Sequence, residues 1–133
     1  MSSKAPDDIH AVIRGYADAW AANDVQRIVD SYHDEVVFHY FGRNPLAGTH
    51  RGKAACLALL KKVKERTNRR LVSIRDVLAG EHYGLIVAVE QFEFQGRAVE
   101  LERQLRYTVK DGKLAECWIY DEDQRFVDEV LGG

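Results

Sequence analysis

Gln95-Gly96 and Asp111-Gly112 stand between long runs that alternate in polarity, and no other feature constrains the fold of this chain as much. Short glycine turns of this kind join antiparallel strands, and the flanking residues then dictate which side chains share a face. With a two-residue turn at Gln95-Gly96, Phe94 faces Arg97, so Ala88, Glu90, Phe92 and Phe94 lie on one face with Val99, Leu101, Arg103 and Leu105. The second joint, "VKDGK", suits a three-residue loop with Gly112 left-handed and Val109 facing Lys113. Cys117, Ile119 and Asp121 then join the same face. A tight two-residue turn would bring Trp118 and Tyr120 there instead; the three-residue loop is the expectation.

That face is apolar except for Glu90, Arg103 and Asp121, and is the one that helices must cover. The opposite face carries Glu93, Glu100, Glu102, Gln104, Arg106 and Glu116 with Trp118 and Tyr120. A charged trio on a covered face has to be paired, protonated or wet, because an isolated buried charge costs several kcal/mol.

Upstream the period is helical. Asp7 or Asp8 caps a first helix that repeats Ile9, Val12, Ile13, Tyr16, Ala17 and Trp20 on one side, and the leading "MSSKAPDD" reads as frayed. Asp24 caps a second helix with Val25, Ile28, Val29 and Tyr32 inward. "VVFHYF" at 36 to 41 favours a short strand, and "GRNPLAG" then forms a loop, from Gly42 to Gly52, that rims a pocket. A helix after Gly52 turns Cys56, Leu59, Leu60 and Val63 inward until "RTNRR" stops it. Strands are expected near 70 to 79, 84 to 94, 97 to 109 and 113 to 121, with a closing helix from Gln124 to Leu131. Helices first and a curved antiparallel meander afterwards make an α+β fold. The 133 residues suit one domain that buries roughly two-thirds of its unfolded surface.

Charge and cysteine content exclude several functions. Nineteen basic and 21 acidic residues give a net charge of −2, so nothing draws the whole chain to nucleic acid. The one basic cluster, "KKVKERTNRR" from Lys61 to Arg70, reads as a solvated helix end without interleaved aromatic residues. Cys56 and Cys117 are too few for a disulfide framework and fit a reducing cytoplasm. No run is long enough to span a membrane, and no signal-peptide layout opens the chain. His10, His33, His39, His50 and His82 show no ligand spacing, so no metal is expected.

Tyr16 to Asp24, "VVFHYFGRNPLAGTHRGKAA", "FEFQGR" and "DGKLAECWIYDEDQRFVDEV" together resemble the nuclear transport factor 2-like superfamily, and within it the SnoaL-like group related to ketosteroid isomerases. The resemblance covers nearly the whole chain. It implies a cone-shaped half-barrel, a curved sheet wrapped around the N-terminal helices with a pocket at one end, and frequent homodimers through the outer sheet face. Trp118, Tyr120, Leu85, Val87 and Val89 supply an apolar patch for such a contact. Members include isomerases, polyketide cyclases and epoxide hydrolases, and also binding modules without chemistry.

Carried over by position, the isomerase tyrosine that donates to a developing oxyanion falls on Tyr16. The isomerase base falls on His39 and its second acid near Leu105, so steroid isomerisation itself is not implied. Asp121 matches the carboxylate that cyclase and hydrolase relatives use on the final strand. The expected activity is therefore cofactor-independent acid–base chemistry on an apolar, oxygenated small molecule. Asp121 and His39 would exchange protons, while Tyr16 and Arg103 would stabilise charge on oxygen. Trp20, Phe41, Leu46, Ala88, Glu90, Phe92, Leu101, Leu105, Cys117 and Ile119 would line the pocket. Arg103 can pair with Glu90, leaving Asp121 as an acid in apolar surroundings, or with Asp121 itself. Tyr16 reads equally well as a core tyrosine.

Overall fold

The computed structural model describes residues 8–132; Asp7 and the rest of the leading stretch lie outside them. Helix α1 (Ile9–Ala21) begins where the Asp8 carboxylate accepts a hydrogen bond from the Ala11 amide at 3.1 Å. Its buried side, Ile13, Tyr16, Ala17 and Ala19, packs on the sheet, each large apolar side chain contributing about 1.5–3 kcal/mol. Gly84 permits the close approach, since a Cβ there would lie 2.4 Å from Ile13 Cγ1. Asp24 caps α2 (Val25–Asp30) by accepting from the Arg27 amide. This helix is shorter than its pattern suggested, because the Ser31 hydroxyl donates to the Arg27 carbonyl at 2.7 Å and closes the last turn. Tyr32, expected on α2, opens strand β1 (Tyr32–Tyr40) instead and is buried.

The segment read wholly as a loop contains a short strand, β2 (Gly48–Arg51), hairpinned to β1 with Tyr40 opposite Gly48. Helix α3 (Lys53–Thr67) follows and ends at Asn68, whose φ of 47° is left-handed. Strands β3 (Arg70–Ala79), β4 (Gly84–Phe94), β5 (Arg97–Lys110) and β6 (Lys113–Asp121) and helix α4 (Gln124–Gly132) complete the chain. The sheet order is β2-β1-β6-β5-β4-β3, antiparallel except for β1 with β6, which run parallel. Bulges in β3, β6 and the β1–β6 ladder bend this open sheet around the helices.

The β4–β5 hairpin has the expected register, from Phe94 opposite Arg97 to Ala88 opposite Arg103. The β5–β6 hairpin reaches the expected facing by another route. Its turn is the tight one: Lys110 faces Lys113, and Asp111 and Gly112 both take positive φ, 54° and 73°. That turn alone would have put Trp118 inside. An extra residue, Ala115, then bulges from β6 between the Val109–Leu114 and Thr108–Glu116 pairs, which restores the parity. The shift sets Asp121 directly opposite Arg103 and Ile119 opposite Leu105.

The 42–52 segment does not rim the pocket. Asn44 donates to Asp128 of α4 at 2.8 Å, Leu46 is buried, and a Cβ on Gly42 would meet Asp128 Oδ1 at 2.2 Å. Burial pushes the Asp128 carboxyl up, but hydrogen bonds from Asn44, the Arg43 backbone and Gln124 outweigh it and hold the group below its ordinary value. The loop is thus a structural closure against α4.

Candidate functional site

A cavity of about 810 Å³ lies between α1, α2, α3 and the inner face of the sheet. Trp20, Ile28, Phe38, Leu57, Leu60 and Leu105 form much of its apolar wall. Tyr16 reaches it from α1, Tyr32 from the start of β1 and Tyr107 from β5, which brings three phenols together. The Tyr16 and Tyr32 hydroxyls are hydrogen-bonded at 2.5 Å. Burial pushes the Tyr16 phenol up to about 12 against the opposing hydrogen bond with Tyr32, and it raises Tyr32 and Tyr107 as well. All three therefore stay protonated at neutral pH, and whichever of Tyr16 and Tyr32 accepts in their shared bond keeps its own proton for a ligand oxygen. Burial likewise pushes the neighbouring Cys117 thiol far up, so it is wall and not nucleophile.

Four charges run away from this wall as a neutral chain. Asn68 turns the chain out of α3, and the next residue, Arg69, pairs with Glu90 at 3.3 Å. Glu90 also accepts from Arg103 Nη1 at 3.2 Å, and Asp121 accepts from Arg103 Nε and Nη2 at 2.5 and 3.2 Å. Tyr40 accepts the remaining Nη2 bond at 3.0 Å. Glu90, Arg103 and Asp121 side chains are each 2% exposed, so every charge needs its neighbour. Burial pulls the Arg103 pKa down, but Tyr40, Asp121 and Glu90 more than reverse this and keep it well above its ordinary value. Both partners left open for Arg103 are thus engaged at once.

Of the residues expected at the site, Tyr16, Trp20, Glu90, Arg103, Leu105 and Cys117 line the cavity. Asp121 does not; it sits behind Arg103 with both oxygens occupied. Ala88, Phe92, Leu101 and Ile119 point inward but belong to the packed core beyond the cavity wall. Leu46 is buried there too, under the loop it belongs to.

His39 and Phe41 face the other way. In β1 it is Val36, Phe38 and Tyr40 that are buried, so the alternate residues point outward. His39 stacks on Trp118 with centroids 5.1 Å apart, and its ring nitrogens meet Glu116 and Thr49. Phe41 is 42% exposed and stacks on Tyr120. His39 is therefore not a base for this cavity, nor Phe41 its wall. Sequence reasoning missed Phe38, Tyr32, Tyr40 and Tyr107. The one polar residue of "VVFHYF", His39, was the available signal that its odd neighbours face solvent.

Among the described residues no group of three or more His, Cys, Asp or Glu side chains is placed to hold a metal ion. None of their helices is long and apolar enough to cross a membrane.

The sequence profile of the SnoaL-like domain matches residues 13–117. This chain belongs to the SnoaL-like family. No curated protein sequence matches it. Solved structures share the SnoaL-like chain's fold at low identity. A protein of unknown function with a cystatin-like fold from Xanthomonas campestris is 22% identical, with TM-score 0.83, covering 92% of this chain and 97% of its own. A candidate polyketide cyclase from Sinorhizobium meliloti is also 22% identical, with TM-score 0.64 over 90% and 99%. TerC, co-crystallised with polyporic acid, is 18% identical, with TM-score 0.75 over 90% and 95%. The α+β cone read from the sequence is thus the fold of this SnoaL-like protein.

Proposed function

We propose that this SnoaL-like protein is a cofactor-independent acid–base enzyme of the isomerase, cyclase or hydrolase type, acting on an apolar, oxygenated small molecule held in the cavity. One observation carries the reading: Glu90 is the sole carboxylate lining the cavity among the described residues, and the same lining holds three protonated phenols. Glu90 takes and returns the proton, in the role first assigned to Asp121 and His39. Tyr16, backed by Tyr32, donates to the substrate oxygen, and Arg103 stabilises the charge that develops. Asp121 and Tyr40 act through Arg103 by fixing its fork. The candidate cyclase and the ligand-bound TerC among the structural neighbours support a small-molecule reading.

A thermal-shift screen of polycyclic ketones and quinones supplies ligands, which are then assayed for turnover. Glu90→Gln keeps the shape and should lose turnover by about 10²-fold or more, with ligand binding retained. Full turnover in that variant would remove Glu90 from the mechanism. Tyr16→Phe should cost about 10²–10³-fold through the lost oxyanion donor.

A binding module without chemistry is the second reading, and it is favoured by the two guanidinium groups that already engage Glu90. Ligand capture without product over long incubation would select it. In either case we propose a cytoplasmic homodimer formed through the outer sheet face. Tyr83, Tyr120 and Phe41 are 45%, 39% and 42% exposed there or at its edge. A monomer by light scattering at micromolar concentration would contradict this.

A further inference from the structure

The basic cluster that reads from sequence as a solvated helix end borders the cavity. Lys61, Lys64, Arg69 and Arg70 all belong to its lining. Arg69 is answered by Glu90, but Lys61, Lys64 and Arg70 form no ion pair among the described residues. They are exposed, whereas Glu90 and Arg103 are buried, so the free cations stand where the cavity meets solvent. Lys61 and Lys64 extend the helical row begun by Leu57 and Leu60, and that face of α3 passes from apolar to cationic along the wall. Arg70 arrives from a different element, the edge strand β3, through the turn at Asn68. Compensation of the α3 dipole accounts for cations in the last turn, yet not for Arg70 on a strand. Arg66, in that last turn, is directed elsewhere, donating to the Leu131 carbonyl at 2.8 Å.

We propose that the mouth selects ligands bearing a carboxylate at one end of the apolar, oxygenated body, with Lys61, Lys64 and Arg70 as its recognition residues. The proposal rests on the small-molecule reading of this cavity and narrows its substrate class. The carboxylate stays at the solvent edge, so little desolvation opposes its attraction to three cations. Anchored there, the molecule directs its far end to the phenols and Glu90, and the head thereby sets the orientation of the reacting oxygen.

Calorimetric titration with anthracene-2-carboxylate and its neutral counterpart anthracene-2-carboxamide tests this. At about 20 mM salt the carboxylate should bind about tenfold tighter, and at about 500 mM that advantage should largely vanish. Replacing Lys61, Lys64 and Arg70 together by Gln should abolish the preference while carboxamide affinity and melting stay as in the parent. Equal affinities in the parent would overturn the anionic mouth and leave the cavity reading intact. A preference that persists in the triple variant would also overturn it, because the anion would then be held elsewhere. Failure of both probes to bind would sink the small-molecule reading along with it.

Discussion

Arg103 and Arg106 lie close together on β5 but face opposite sides of the sheet, and the protein accommodates the two guanidinium groups differently. On the inner face Arg103 has two carboxylates and a tyrosine hydroxyl as partners. On the outer face Arg106 lies over aromatic rings, 4.4 Å from the Trp118 centroid and 4.7 Å from that of Tyr83, with Nε lacking a hydrogen-bond partner among the described residues. Inside, the Arg103, Glu90 and Asp121 side chains are each 2% exposed, so full countercharge and directed hydrogen bonds are required. Outside, ring faces take the place of countercharge, and the buried Nε goes without a hydrogen bond among the described residues. The inner arrangement therefore fixes its guanidinium by directed bonds to countercharges, while the outer one holds it against ring faces.

Identical substitutions on the two arginines test that contrast. Arg103→Met strands Asp121 in the interior and leaves Glu90 with Arg69 alone, and should cost about 3–5 kcal/mol in urea unfolding, the largest effect expected here. Alkali should act on the inner side next. Because the folded Tyr16 phenol is raised from 10.0 to about 12, chiefly by burial, the folded state favours the protonated form. Stability is therefore unaffected below about pH 10 and is lost as pH climbs toward 12, by on the order of 2–3 kcal/mol. Tyr16→Phe should remove that step from a phenolate absorbance titration. Arg106→Met should cost least, about 0.5–1 kcal/mol, by loss of its contacts with the rings. Equal costs for the two arginines would dissolve the distinction between the faces.

Much of the fold was legible because its decisive signals are local. The Gln95-Gly96 turn pins β4 to β5, and the observed ladder follows it residue by residue. Asp24 and Asn68 likewise mark helix ends within a few residues of themselves. Asp121 was assigned to the inner face from an expected three-residue loop. It is there through a two-residue turn and a bulge at Ala115 whose effects on parity cancel. The site was less legible. No turn ties β1 to the meander, since its β6 neighbour is parallel and remote in sequence, so the facing of His39 and Phe41 could not be counted from a hairpin.

The sequence by itself determined the four strands of the meander, the parity of the central hairpin and the presence of Glu90 and Arg103 on the covered face, because a pleated strand and a short turn transmit that order from neighbour to neighbour. Only the tertiary structure decided that Arg103 satisfies both carboxylates, that the 42–52 segment closes on α4, and that Lys61, Lys64, Arg69 and Arg70 border the cavity. Those outcomes depend on how α2, α3, α4 and the edge strand settle around the curved sheet. Packing between elements distant in the chain sets such contacts, and no periodicity encodes them.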